Sequence, residues 1–361
     1  MILKHLNAKL PSNTEDIQNS PHFREGKFQN LKQHKRKGKS SFFNYLGRLL
    51  FEKKINTKPI DELPICSINK VDLFLLDDHK IHLYRLGHST ILLKLGKDFW
   101  LIDPVFSQRV SPFSFIGPKR FHPTPISIEQ LPAIKGVILS HNHYDHLDKK
   151  SIQALCKKTE FFIAPLGVDG DLIRWGVRPS QITTLDWWQQ HNVENVDLTF
   201  TPAHHYSGRW SDDHSTTLWG SWVIAFNTQK VYFSGDSGYF DTFKEIGERC
   251  GPFDICMIET GAYDSQWPLV HMHPTQSMQA FLDLNGTYML PIHNSTFDLA
   301  FHAWYHPLET ITELANTHNV KLLMPKFGQC ISVGSTFEQP QWWPSSQTPN
   351  TSEKEVKELD Q

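Results

Sequence analysis

Short apolar runs recur along this chain, and several of them close on a polar residue. Gly136-Val137-Ile138-Leu139 is bounded by turn-type residues, as a buried strand is, and leads directly into SHNHYDHLD, residues 140–148. Thr199-Phe200-Thr201 leads into Pro202-Ala203-His204-His205-Tyr206. Val231-Tyr232-Phe233-Ser234 runs into a glycine-flanked Asp236, and Tyr288-Met289-Leu290-Pro291-Ile292 ends at His293. A hydrophobic core does not require polar ends on its strands, whereas a site along one edge of a sheet does. Strands are expected through 71–106 and 193–235. Helices are expected at Ile126–Leu131, Lys149–Lys157, Asp241–Arg249, Pro274–Asp283 and Leu308–Thr317. In the Pro274 segment, Thr275 follows a proline and opens a stretch with apolar residues at helical spacing.

The chemistry concentrates in residues 140–148. His141, His143, Asp145 and His146 form H-x-H-x-D-H on a loop leaving a strand, where a rigid sheet holds them. Imidazoles and carboxylates are the usual ligands of catalytic zinc. Four such groups so close together do not easily close one tetrahedral site, but they serve two adjacent metals, His141 and His143 facing one and Asp145 and His146 the other. The chain holds 20 histidines, so isolated ones carry little weight. His82, His122 and His302 are read as surface or hydrogen-bonded structural residues rather than ligands.

The order H-x-H-x-D-H, then a histidine, then Asp in a G-D-S-G context, then a final His, resembles the metallo-β-lactamase superfamily. Within it the chain is similar to the branch of the N-acyl-phosphatidylethanolamine-hydrolysing phospholipase D. That likeness rests on Gly87-His88-Ser89-Thr90, Ile102-Asp103-Pro104, Gly117-Pro118-Lys119-Arg120-Phe121, Leu218-Trp219-Gly220-Ser221-Trp222, Gly251-Pro252-Phe253-Asp254 and Gly261-Ala262-Tyr263, besides the motifs above. It implies an α+β fold, the αββα four-layer sandwich. It also implies one metal on His141, His143 and His205, a second on Asp145, His146 and His293, and Asp236 bridging both. Between the adjacent His204 and His205 the family register selects His205. His271 matches a family histidine near the substrate phosphate. His273 stands where the family has a small polar residue, which leaves the role of that position open. The implied activity is a dinuclear, metal-dependent phosphodiesterase of phospholipase D type. It would release phosphatidic acid and the head-group alcohol from N-acylated or related glycerophospholipids, with Asp145 and His271 as the catalytic residues. A lactonase, a phosphodiesterase of soluble substrates and a non-catalytic metal-binding protein are the alternatives. Two zinc ions are expected, and the nitrogen and oxygen ligands also suit manganese or iron.

Composition refines this reading at the edges. A chain of 361 residues buries a large core. The expected division is a basic N-terminal segment at 1–65, a catalytic domain at 66–340 and an unstructured polar tail at 341–361. A net charge of −2 gives no support to a nucleic-acid role. Five cysteines without a Cys-x-x-Cys pair argue against a disulfide framework. Met1-Ile2-Leu3 meets Lys4 and His5 with no apolar run behind it, so a cytoplasmic location is expected. Charge is uneven, however. Residues 24–54 carry ten Lys and Arg against Glu25 and Glu52, and Phe42–Phe51 has its apolar residues on one helical face. Such a helix either lies peripherally on an anionic membrane or packs on the sandwich. The composition leaves a homodimer open.

Overall fold

The computed structural model describes residues 14–32, 54–210, 212–337 and 340–344. The stretch Phe42–Phe51, expected to be an amphipathic helix, lies outside the described residues, as does the tail beyond 344.

A short helix α1 (Thr14–Asn19), a hairpin of β1 (Phe23–Arg24) with β2 (Lys27–Phe28), and a second short helix α2 (Lys70–Phe74) precede two seven-stranded sheets. The first sheet contains β3 (Ile81–Gly87), β4 (Thr90–Leu95), β5 (Asp98–Ile102), β6 (Ile134–Ile138), β7 (Thr159–Pro165) and β8 (Ile182–Leu185). The second contains β9 (Gln190–Val193), β10 (Val196–Thr201), β11 (Ser221–Phe226), β12 (Gln229–Phe233), β13 (Phe253–Glu259), β14 (Gly286–Ile292) and β15 (Lys321–Leu322). The chain returns to the first sheet as β16 (Cys330–Ser332), beside β3. Each sheet begins antiparallel and turns parallel, at β5–β6 in one and β12–β13 in the other. As a result β3, β5 and β6 of the first sheet, and β10, β12, β13 and β14 of the second, end at one edge of the sandwich.

The inner faces of both sheets meet in one core. Leu83, Leu93, Trp100 and Ile102 of the first pack with Leu198, Phe200, Trp222 and Phe233 of the second. Gly136 sits mid-strand because the Trp100 ring lies across it; a Cβ there would stand 2.2 Å from the ring. The outer faces are covered separately. α3 (Lys149–Leu155) and α4 (Asp169–Arg174) pack on the first sheet through Ile152, Leu155 and Leu172. α5 (Thr242–Cys250), α6 (Pro274–Asp283) and α7 (His306–His318) cover the second through Phe243, Met278 and Leu308. This is the αββα sandwich.

Two expectations need correction. Ile126–Leu131 is not helical but a series of turns. Pro125 and Pro132 bracket it, and a proline disfavours helical backbone in the residue before it. Its apolar ends, Ile126 and Leu131, are buried all the same. The packed region also extends past 340. Trp343 is 7% exposed, and the Trp342 Nε1–H donates to the Met324 carbonyl at 3.0 Å. Their indole area belongs to the second outer core rather than to a polar tail. All five cysteines are free thiols. No helix among the described residues is long and apolar enough to cross a membrane.

Candidate metal centre

Each expected metal ligand stands past a strand end at the common edge. His141, His143, Asp145 and His146 follow β6, His205 follows β10, Asp236 follows β12 and His293 follows β14. Two cross-sheet bonds hold this edge together beneath the metal loop: the Trp222 Nε1–H donates to the Leu139 carbonyl at 2.9 Å, and the Gly220 N–H to the Ser140 carbonyl at 3.1 Å. Left-handed backbone gathers here at non-glycine residues, with φ of +46° at His88, +41° at Asp103 and +64° at His293. Such conformations persist where the surroundings over-determine them, and they cluster at functional sites.

The seven expected ligands fall into two groups, each with its donor atoms within 4.8 Å of one another. His141, His143, His205 and Asp236 form the first. His141 Nε2 and His205 Nε2 both face His143 Nδ1, at 2.9 and 3.2 Å. The second group is Asp145, His146, His293 and, in addition, His88. Asp145 Oδ2 lies 3.1 Å from His88 Nε2 and 3.3 Å from His293 Nε2. Asp236 joins the two: Oδ1 is 3.0 Å from His146 Nε2, while Oδ2 is 3.1 Å from His293 Nε2 and 3.7 Å from His141 Nε2. Yet His146 Nε2, His293 Nε2 and Asp236 Oδ1 are buried without a hydrogen-bond partner. Buried polar atoms ordinarily have one. Lone pairs that converge in this way fit divalent cations.

A second layer fixes the imidazoles. His146 Nδ1 bonds Asp103 Oδ2 at 2.7 Å, His141 Nδ1 bonds Ser140 Oγ at 2.9 Å, and His205 Nδ1 donates to the Val270 carbonyl at 2.9 Å. Each bond aims the opposite ring nitrogen at the cluster, which is how outer partners orient metal-binding histidines. Asn30, from the segment before the sheets, brackets the His205 backbone: its amide donates to the carbonyl at 2.8 Å and its oxygen accepts from the N–H at 3.1 Å. His204 turns the other way, its ring bonding the Leu269 carbonyl at 2.8 Å.

His271 reaches the same edge, grouped with Asp236 and His293. Its Nδ1 is bonded to Glu259, a fully buried carboxylate at the end of β13 that also accepts from the Ser237 N–H at 2.6 Å. His273 lies outside both groups and caps α6, where its N–H donates to Gln276 Oε1 at 3.0 Å. His82, His122 and His302 also stand apart. They bond Ser332 and Asp77, Pro123, and Ala303 respectively. His88, Asp103, Glu259 and Asn30 are the residues that pattern reading did not assign to the site. The first two sit in motifs that carried the resemblance, but Glu259 and Asn30 have no local signal.

The protein groups alone divide electrostatically. Burial holds His141 and His205 well below the usual imidazole range and His143 down to about 4, which favours neutral imidazoles able to offer lone pairs. Burial opposes charge at His146 and His293 too, but the Asp236 and Asp145 carboxylates outweigh it. His146 is raised well above its ordinary value and His293 to about 10. Against the same burial, His146 and its neighbours hold Asp145 and Asp236 well below the carboxylate range. Two anionic carboxylates in a dry site demand positive charge, supplied either by protons on His146 and His293 or by metal ions.

Comparison with known proteins agrees with the fold. A Beta-lactamase superfamily domain model matches residues 100–294, more than half of the chain. The chain belongs to the metallo-β-lactamase superfamily and is a metal-dependent hydrolase. It is 30% identical to N-acyl-phosphatidylethanolamine-hydrolyzing phospholipase D 1 of Caenorhabditis elegans, over 84% of this chain and 92% of that one. It is 36% identical to an uncharacterized protein of Mycobacterium bovis, over 90% and 87% of the two chains. Among solved structures, a metallo hydrolase of the archaeon Ignicoccus hospitalis has the same fold, with a TM-score of 0.54 at 18% identity, covering 72% of this chain and all of that one.

Proposed function

We propose that this protein is a dinuclear phosphodiesterase of phospholipase D type. Its substrate is N-acyl-phosphatidylethanolamine or a related glycerophospholipid, and its products are phosphatidic acid and the head-group alcohol. The observation that carries the reading is similarity to the nematode phospholipase along nearly the whole of both chains. The geometry supports two zinc sites, one on His141, His143 and His205 and one on Asp145, His146 and His293, with Asp236 between them; manganese and iron suit the same donors. Cations so held would lower the pKa of a water and neutralise charge on phosphoryl oxygens.

The chain's own residues supply the rest. Asp145, anionic and flanked by His88 and His293, is placed to orient the attacking water toward phosphorus. His271 has Nδ1 committed to Glu259, so its Nε2 is the atom left to bond a phosphate oxygen or to protonate the leaving alkoxide. Buried walls around the clusters exclude bulk water and strengthen each of these interactions.

Turnover of N-acyl-phosphatidylethanolamine by metal-loaded protein in oxygen-labelled water tests the reading. Label in phosphatidic acid and none in the released alcohol is expected. A protein holding two metals that opens lactones or cleaves soluble diesters, and leaves every phospholipid intact, overturns it. His271→Ala is expected to slow turnover with metal content unchanged.

A further inference from the structure

Beyond the metal edge lies an open cavity of about 1520 Å³, lined by Phe106, Tyr144, Trp175 and Trp210 among others. Tyr144 stands between two of the expected ligands in sequence, so the cavity abuts the metal loop from outside. On its rim is the loop Ser111–Gly117, SPFSFIG. The base of this loop is closed. Arg109 and Lys119 form a β-bridge, the Val110 N–H donates to the Pro118 carbonyl at 3.2 Å, and the Arg109 guanidinium donates to the Gly117 carbonyl at 2.5 Å. From this closed base the tip pushes apolar side chains into solvent: Phe113 is 48% exposed, Phe115 78% and Ile116 57%. Trp210, 51% exposed, lines the same cavity. Scattered exposed hydrophobes need no explanation, but a cluster of them beside an open cavity marks an interaction surface.

Charge selects the partner. The tip carries no ionisable residue. Around it stand the exposed Lys119 at the loop base and the exposed Lys149 and Lys150 on the cavity wall. Among the described residues, these lysines form no ion pair. The carboxylates of the same wall are mostly committed. Asp148 caps α3 and accepts from Ser107 and Ser151, Asp213 accepts from the Arg209 and Trp210 N–H groups, and Asp171 pairs with Arg174 at 3.5 Å. Asp212 is the remaining acid there. An uncharged aromatic tip with lysines behind it matches a bilayer, in which aromatic side chains settle at head-group depth and lysines meet anionic lipid. A protein partner would need no such division into apolar tip and cationic collar.

We propose that the Phe113–Phe115–Ile116 tip inserts into the interface of an anionic membrane and seats the cavity mouth against it. This goes beyond the catalytic reading and rests on the Ser111–Gly117 loop, not on the Phe42–Phe51 stretch. The test is co-sedimentation of the full-length, metal-loaded protein with phosphatidylcholine vesicles, with and without phosphatidylglycerol. Phe113→Ser, Phe115→Ser and Ile116→Ser combined should lower the vesicle partition coefficient at least tenfold, since burial of even one such side chain contributes that much. Lys119→Glu with Lys149→Glu should weaken binding to the phosphatidylglycerol vesicles alone. Metal content and thermal unfolding should match the parent in both variants. A serine variant that partitions like the parent overturns the proposal. So does one whose change is loss of a dimer, which would assign the tip to a second copy. Vesicle binding through the tip without cleavage of any lipid would sink the phosphodiesterase reading and leave this one standing.

Discussion

Asp103→Asn probes how the second cluster is organised. Asp103 is fully buried, accepts from the Ser140 N–H at 2.8 Å and the Ser140 hydroxyl, and bonds His146 Nδ1 at 2.7 Å. As an anion it keeps a proton on His146 Nδ1, so that Nε2 is the nitrogen facing the cluster and becomes a lone pair once metal displaces its proton. Asparagine has nearly the same shape and tolerates the left-handed backbone, φ +41°, so the fold should persist. Its amide would retain the bond from the Ser140 N–H but would present a donor to Nδ1. The proton then moves to Nε2, where it blocks the metal. A hydrogen bond to a charged group contributes about 1.5–3 kcal/mol, which corresponds to roughly 10–100-fold in metal affinity. Titration against a chromophoric chelator would resolve this. One site should weaken by that factor, and the His141–His143–His205 site, reached only through Ser140, should weaken less. Equal loss at both sites, or none at either, would refute the tautomer argument.

Three further outcomes are expected. His205→Ala should remove one metal equivalent by elemental analysis, while His204→Ala, whose ring bonds the Leu269 carbonyl, should retain both. Because His146 and His293 are raised, the metal-free protein holds their protons at neutral pH, and metal binding must expel them. Affinity should therefore climb as pH rises toward the His293 value of about 10, and calorimetric heats should depend on the buffer's ionisation enthalpy; pH-independent affinity would contradict this. Gly238→Ala places a Cβ 1.9 Å from the Leu269 carbonyl oxygen, so chemical denaturation should register a loss of about 1–3 kcal/mol from overpacking.

The gathering of the candidate metal loop was legible in the sequence because its four metal-capable side chains are local and follow one apolar run. His205, Asp236 and His293 were legible because each ends such a run. Residues that orient them left no comparable trace. Asp103 meets His146 across 43 positions and Asn30 meets His205 across 175, distances at which periodicity carries no information. Glu259 closes a strand in the same manner as Asp236, but its partners Ser237 and His271 come together only once β12 and β13 are paired. Of the helices, Lys149–Leu155, Thr242–Cys250, Pro274–Asp283 and His306–His318 were visible in their apolar spacing. Asp169–Arg174 was not, because Gly170 falls inside it and Gly167 and Gly176 flank it. The Ile126–Leu131 spacing misled because buried turns also place apolar residues a few positions apart.

The division of the ligands between the two sheets bears on the order of assembly. The first sheet alone offers His88 and the β6 loop; the second offers His205, Asp236 and His293. Neither half can surround an ion, and His141 and His293 are separated by most of the sandwich in sequence. A nascent or half-unfolded chain thus presents at most a weak, partial set of donors. Full coordination arises only after the inner faces of both sheets have docked. Metal capture would then act as a late latch across the seam, drawing the two halves shut and slowing their separation. Chelation should accordingly speed the opening of the sandwich at this edge while leaving each sheet's own strand pairing intact.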